Sequence, residues 1–311
     1  MKLIDFIEKY KNKINFKYLT FNDNLTWDII SNYFCHYDLK NECDWYNISQ
    51  NSNITWDIIQ NNPIEHWNYN GLSKNKNITW EIIQNNSHLP WNYKNISFNP
   101  NITWDIVQNN PHLPWDYKNL SRNPNITFDI IKTNNFKWNW FFISQRSDIT
   151  WDIVQNNNDF PWNFGSMSLN PNITWDIVKT NINLKWNWNF LSEHPNITWD
   201  IIKNNPLEKW DYESISHNPN ITFNIIKNNP LEEWDWEIIS WKSNITWNII
   251  EENPLKSWNW QSISANPNIT CEIVDENIFK SWDWNILSSC IYSQEDKFVD
   301  VDNLFKLKFV D

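Results

Sequence analysis

Three histidines are the residues best placed to gather a metal. His88 and His112 fill the same slot in two successive segments of similar sequence, and His66 lies in the corresponding turn before them. Stacking of those segments would bring three imidazoles together. No cysteine joins them, and the i, i+4 histidine pair of a helical zinc site is absent, so the expectation is surface or packing histidines and no metal or other cofactor. The four cysteines, Cys35, Cys43, Cys271 and Cys290, are scattered and read as reduced thiols. Cys43 and Cys271 stand where an aromatic residue otherwise recurs, which suits small apolar filling, and Cys35-His36 is isolated. Serine and aspartate are plentiful but recur identically, as Ser49, Ser73, Ser97 and Ser121 do. A nucleophile needs one unique site with its own base, so no enzyme is expected. The two glycines, Gly71 and Gly165, lie far apart and cannot build a phosphate-cradling loop.

Asn-Ile-Thr and Asn-Ile-Ser triplets, the former at positions such as Asn53, Asn101, Asn172, Asn196, Asn220 and Asn268, fit the glycosylation pattern. The N-terminal stretch, residues 1–9, mixes charge with apolar residues and has no secretory h-region, and no run is long enough to span a bilayer. The expectation is therefore an intracellular, cytoplasmic chain without glycans and without a membrane partner. Twenty-five basic residues against 37 acidic ones give a net charge of −12 over 311 residues, which repels phosphate backbones and makes nucleic acid an improbable partner.

What positions all of these residues is a repeat. A threonine recurs at Thr26, Thr55, Thr79, Thr103, Thr127, Thr150, Thr174, Thr198, Thr222, Thr246 and Thr270, with a dominant spacing of 24 residues. Each threonine suits a helix N-cap. The Ile before it and the Ile or Val four residues beyond, as in Ile221 and Ile226, suit a hydrophobic staple, and an acidic residue such as Asp57, Glu81 or Asp200 meets the positive end of the helix dipole. The helix is predicted to end about seven residues on at Asn-Asn, through a left-handed asparagine, with Pro63, Pro111, Pro206, Pro230 and Pro254 forbidding continuation. A second segment, as in Trp210-Asp211-Tyr212-Glu213-Ser214-Ile215-Ser216, predicts a single α or 3₁₀ turn capped by Asp or Asn. Helices this short are marginal alone, so stacking of units must stabilise them.

Three aromatic columns run through the units. One follows the threonine (Trp199), one opens the second segment (Trp210) and one lies two residues later (Tyr212); 24 of the 25 tryptophans fall in them, Trp241 alone lying outside. Such columns read as stacked core. The fold expected is all-α: a solenoid of eleven units over residues 26–289, with an N-terminal capping helix and half-repeat over 1–25 and a C-terminal cap or tail over 290–311. The half-repeat is visible in Ile14-Asn15-Phe16-Lys17-Tyr18-Leu19-Thr20-Phe21, which matches the segment from Trp91 to Phe98. At 8–10 Å per unit, such an array would be a rod or superhelix on the order of 100 Å long.

The run Ser97-Phe98-Asn99-Pro100-Asn101-Ile102-Thr103-Trp104-Asp105-Ile106-Val107 resembles the leucine-rich repeat variant family, which shares the 24-residue unit, the small residue before an Asn-Pro turn and the acidic-aliphatic helix start. The resemblance implies alternating α and 3₁₀ helices in a right-handed superhelix. The Asn, Ile and Lys bias is also similar to that of repeat proteins of giant DNA viruses of amoebae, which would place the chain in host cytoplasm or a virion.

Variation between units marks where a partner would bind. Five residues after the threonine the slot runs Ser31, Gln60, Gln84, Gln108, Lys132, Gln155, Lys179, Lys203, Lys227, Glu251 and Asp275, a polar ridge that is basic in its middle. Lys185 and Lys209 reinforce that patch, while the slot five before the threonine varies freely and holds Phe98, Arg122 and Trp241. The function expected is a non-catalytic scaffold whose extended face takes a protein or peptide partner, acidic in character, at Lys179, Lys185, Lys203, Lys209, Lys227 and Trp241. Single-stranded nucleic acid on the aromatic and lysine ridges, or carbohydrate on exposed Trp platforms, are the alternatives.

Overall fold

The computed structural model describes residues 2–34, 43–63 and 65–292. Among the described residues the chain is all-helical, with 24 short helices and no strand beyond one isolated bridge between Thr270 and Tyr292. Two compact units are distinguished: one made of Met1–Asn77 and Trp236–Asp311, the other of Ile78–Asp235.

Each repeat is a pair of helices whose starts are set by their caps. In Trp199–Asn204 the Thr198 hydroxyl accepts from the Ile201 N–H at 3.4 Å, and Asp200 lies in the first turn. Thr127 and Thr246 hold the same position without that side-chain bond. The second helix, Tyr212–His217, starts at Asp211, whose carboxylate accepts from Ser214 N–H at 2.8 Å. These second helices are α, not 3₁₀, as the Ile215 N–H to Asp211 C=O bond at 2.8 Å illustrates. One expectation is corrected: the C-cap asparagines are not left-handed. Asn205 has φ −129°, and its side-chain amide turns back to donate to the Ile201 carbonyl at 2.7 Å. The side chain satisfies the orphan carbonyl that a left-handed residue would otherwise satisfy with backbone, so no positive φ is needed.

Between repeats, three sets of bonds recur inside each unit. A buried serine accepts from the next repeat's cap residue, as Ser192 Oγ does from Asp211 N–H at 2.9 Å. A buried asparagine donates to three carbonyls of the repeat before it; Asn218 reaches Ser192, His194 and Ile197 at 2.9–3.1 Å. The asparagine of each Asn-Ile-Thr triplet is likewise engaged, Asn196 donating to the Pro171 and Ile173 carbonyls at 2.8 and 2.9 Å. The core is a line of Ile, Leu and Val side chains, Ile197, Ile202 and Ile215 among them, all nearly inaccessible.

In the unit that holds both chain ends, the N-terminal half-repeat continues the stack on the last repeat. Asn15 N–H donates to Ser288 Oγ at 2.9 Å, and the Asn22 amide donates to the Ile291 and Ser288 carbonyls at 2.8 and 3.4 Å. Phe6 stacks on Trp284 with centroids 6.1 Å apart, while Lys9 and Tyr10 both reach Asp275. Within this unit the half-repeat and the last repeat are therefore in contact through the kind of bond that joins consecutive repeats. One close approach fixes a glycine here, since a Cβ on Gly71 would lie 2.4 Å from the Tyr46 carbonyl oxygen.

Candidate functional site

The aromatic columns interlock. Within the unit Ile78–Asp235, Trp210 meets Trp188 of the preceding repeat edge-on (5.3 Å, 82°) and Trp175 of that repeat obliquely (5.3 Å, 42°). Its indole N–H donates to the Asn205 carbonyl at 2.8 Å. The same contacts recur at Trp258 and Trp282 in the other unit, which bind the Asn253 and Asn277 carbonyls. No tryptophan is among the exposed large apolar side chains of the described residues.

The exposed apolar residues lie in the turn after the first helix. Asn205 C=O accepts from Glu208 N–H at 3.2 Å, closing a turn with Pro206 and Leu207 at its tip. Proline presets the turn's first corner, and the next side chain is thrown outward. Leu207 is 97% exposed and Leu231, one repeat on, is 96% exposed. Leu255 (98%) and Phe279 (100%) hold the same slot in the other unit. Large apolar side chains are seldom left wholly in water in consecutive repeats, and a contiguous patch of them marks an interaction surface.

The predicted lysines border this row. Lys179, Lys203 and Lys227 lie in the last turns of Trp175–Thr180, Trp199–Asn204 and Phe223–Asn228, and Lys185 and Lys209 follow the turn tips. All five are exposed. The turn of one repeat thus carries Lys203 before the apolar tip and Glu208-Lys209 after it, while the next repeat carries Lys227 before Leu231 and Glu232-Glu233 after it. Trp241 stands elsewhere: it ends the helix Trp236–Trp241, belongs to the unit that holds the chain ends, and is half-buried. Sequence reasoning passed over Leu207 and Leu231, although Asn-Asn-Pro before each of them signals a turn tip.

The histidines are not brought together. Among the described residues no group of three His, Cys, Asp or Glu side chains is arranged to hold a metal ion. His88 and His112 are exposed, and His66 lies edge-on to Trp45 at 6.0 Å. Cys271 is buried in its aromatic slot, Cys43 and Cys290 are partly exposed, and Cys35-His36 lies outside the described residues. Two titratable groups are buried at the asparagine position of the Asn-Pro turn. His194 accepts from Asn196 N–H through Nδ1 (3.1 Å) and donates to the Asn170 carbonyl through Nε2 (3.0 Å), and burial lowers its pKa. Burial also pushes the Lys242 ammonium down to about 7.

No protein-family model, curated protein or solved structure matches the chain. Among the described residues, no helix is long and apolar enough to cross a membrane.

Proposed function

We propose that the chain is a non-catalytic repeat scaffold that binds a protein or peptide partner along the turn tips of consecutive repeats. The observation that carries this reading is the near-complete exposure of Leu207 and Leu231 beside Lys203, Lys209 and Lys227. An apolar row with Lys203 and Lys227 on its helix side, and Glu208, Glu232 and Glu233 beyond the tips, fits a partner segment with apolar anchors and an acidic flank towards the lysines, the leucines supplying desolvated area and the lysines steering encounter. Stacking of bases or sugars on tryptophan draws no support, because the indole edges and N–H groups are engaged between and within repeats. The net charge of −12 also disfavours a polyphosphate ligand. The reading includes an intracellular setting, host cytoplasm or virion if the chain is viral, and a likeness of repeat period to the leucine-rich repeat variants.

Affinity capture from the native cell tests the reading when it is run beside the double variant Leu207→Asp, Leu231→Asp. Both positions are in water, so the variant should fold as the parent does. Proteins retained by the parent and lost from the variant are expected; the same proteins retained equally by both would overturn this site.

A further inference from the structure

The chain holds two arginines against 23 lysines, so each arginine stands where a lysine would be the common choice. Arg146 is fully engaged. Its Nε and Nη2 donate to the two oxygens of Asp148, both at 2.8 Å, and Nη1 reaches the Ser121 carbonyl at 3.3 Å. Arg122 is placed quite differently. Its guanidinium lies over the ring of Phe98 and over the ring of Phe142, with Cζ 4.8 Å from each centroid. None of its side-chain N–H groups donates to an acceptor among the described residues. Half-burial removes it from water, and that desolvation lowers its pKa.

Two phenyl rings against one guanidinium restrict its motion and hold it by cation–π attraction. The donors point along the edge of the group, and these cannot be satisfied by aromatic faces. A planar fork of donors held this way matches the two oxygens of a carboxylate. The Lys118 ammonium, 5.8 Å from the Phe142 centroid, adds a second positive charge. Phe98 is 39% exposed and Phe141, edge-on to Phe142 at 5.4 Å, is 43% exposed, so the surroundings of the fork are apolar and open. The slot that holds Arg122 carries glutamine at Gln50 and Gln145 and glutamate at Glu193, so the repeat itself does not require a cation there.

We propose that Arg122, held against Phe98 and Phe142, is a recognition site for a carboxylate on an acidic peptide segment whose neighbouring apolar side chain rests on Phe98 or Phe141. A carboxylate is favoured over a phosphate chain because the unit supplies one fork and one adjacent lysine, while the protein's overall negative charge opposes a polyanion. The site does not rest on the Lys203–Leu207 turn tips, and the Leu207→Asp, Leu231→Asp variant leaves it intact.

The two arginines make the test direct. The full chain labelled with ¹⁵N-arginine gives two Nε–Hε resonances, and Arg122→Lys identifies one by deleting it. Titration with acetyl-Glu-Phe-Glu-amide is expected to shift the Arg122 resonance to saturation and leave Arg146 unmoved, while acetyl-Gln-Phe-Gln-amide shifts neither. Calorimetry with the glutamate peptide should show about a tenfold loss of affinity in Arg122→Lys, as expected for loss of a charged bidentate contact. An unmoved Arg122 signal would overturn the proposal. Equal shifts with the glutamine peptide would overturn it, as would the same saturating shift from inorganic phosphate at equal concentration.

Discussion

The backbone N–H of Asn15 donates to the hydroxyl of Ser288 at 2.9 Å, across 273 residues of chain. The bond is the one that Asp211 makes with Ser192 at the same distance, 19 residues apart. A contact that depends on repeat geometry alone is used both to join neighbours and to join the first element to the last. Removing the serine oxygen leaves a backbone donor without its acceptor, which costs about 1–3 kcal/mol where the donor is buried. Ser288→Ala and Ser192→Ala should therefore lower stability by similar amounts in chemical denaturation. A near-silent Ser288→Ala beside a costly Ser192→Ala would show that the two ends are apart in solution.

The threonine column contains its own control. Thr198 caps its helix with a side-chain bond, and Thr127 does not. Thr198→Ala is expected to cost about 1 kcal/mol and Thr127→Ala a few tenths, by comparison of melting curves. Equal losses would mean that the hydroxyl acts through something other than capping.

His194 should make stability depend on mildly acidic pH. Its folded pKa lies below the ordinary 6.5 because burial disfavours the charged ring, and protonating Nδ1 would break the bond from Asn196 N–H. Above pH 6.5 both folded and unfolded chains carry a neutral ring, and the full stability is present. As pH falls below that value the unfolded chain takes up the proton first, so stability is lost until the folded pKa is passed. His194→Asn restores the side chain that Asn218 carries in the next repeat and removes this loss. The melting temperature of the parent should fall more between pH 7.5 and 5.5 (about two units around the ordinary histidine pKa) than that of His194→Asn. Parallel curves would contradict the assignment.

Lys242 sits in the same position and acts in the same direction, in a more alkaline window. Its ammonium is lowered to about 7 from 10.5, so between those values the unfolded chain binds a proton that the folded chain has released. Stability then rises with pH from about 7 to about 10.5. Lys242→Asn should raise stability near neutral pH, on the order of a few kcal/mol, and flatten that rise. A variant less stable than the parent at pH 7 would show that the lysine is held charged.

Much of this architecture was legible in local sequence. The Thr198 cap, the Asp211 cap and the division of Trp199, Trp210 and Tyr212 into columns follow from interactions within a few residues, which composition and spacing encode. The conformation of Asn205 was not legible, because it depends on a side-chain bond to Ile201 and on the indole N–H of Trp210, which compete with a left-handed cap. The match of residues 14–21 to a half-repeat was visible, but its seat on Ser288 is set by how successive repeats turn, which no single repeat reveals. Leu207 was not singled out in the sequence, and it is the turn from Asn205 to Glu208 that throws it into water. Arg122 was noted in a variable slot, while its neighbours Phe98 and Phe142 come from adjacent repeats and become partners only on stacking.

The measurement that most directly tests the central claim is the binding kinetics of a partner recovered by the parent chain, compared among Lys203→Glu, Leu207→Ala and Thr198→Ala at two salt concentrations. Lysines that steer and leucines that anchor act on different rates. The account predicts that Lys203→Glu slows association, and more so at low salt, that Leu207→Ala speeds dissociation, and that Thr198→Ala changes neither. Unaltered rates in both Lys203→Glu and Leu207→Ala would contradict the claim that this scaffold binds through its turn tips.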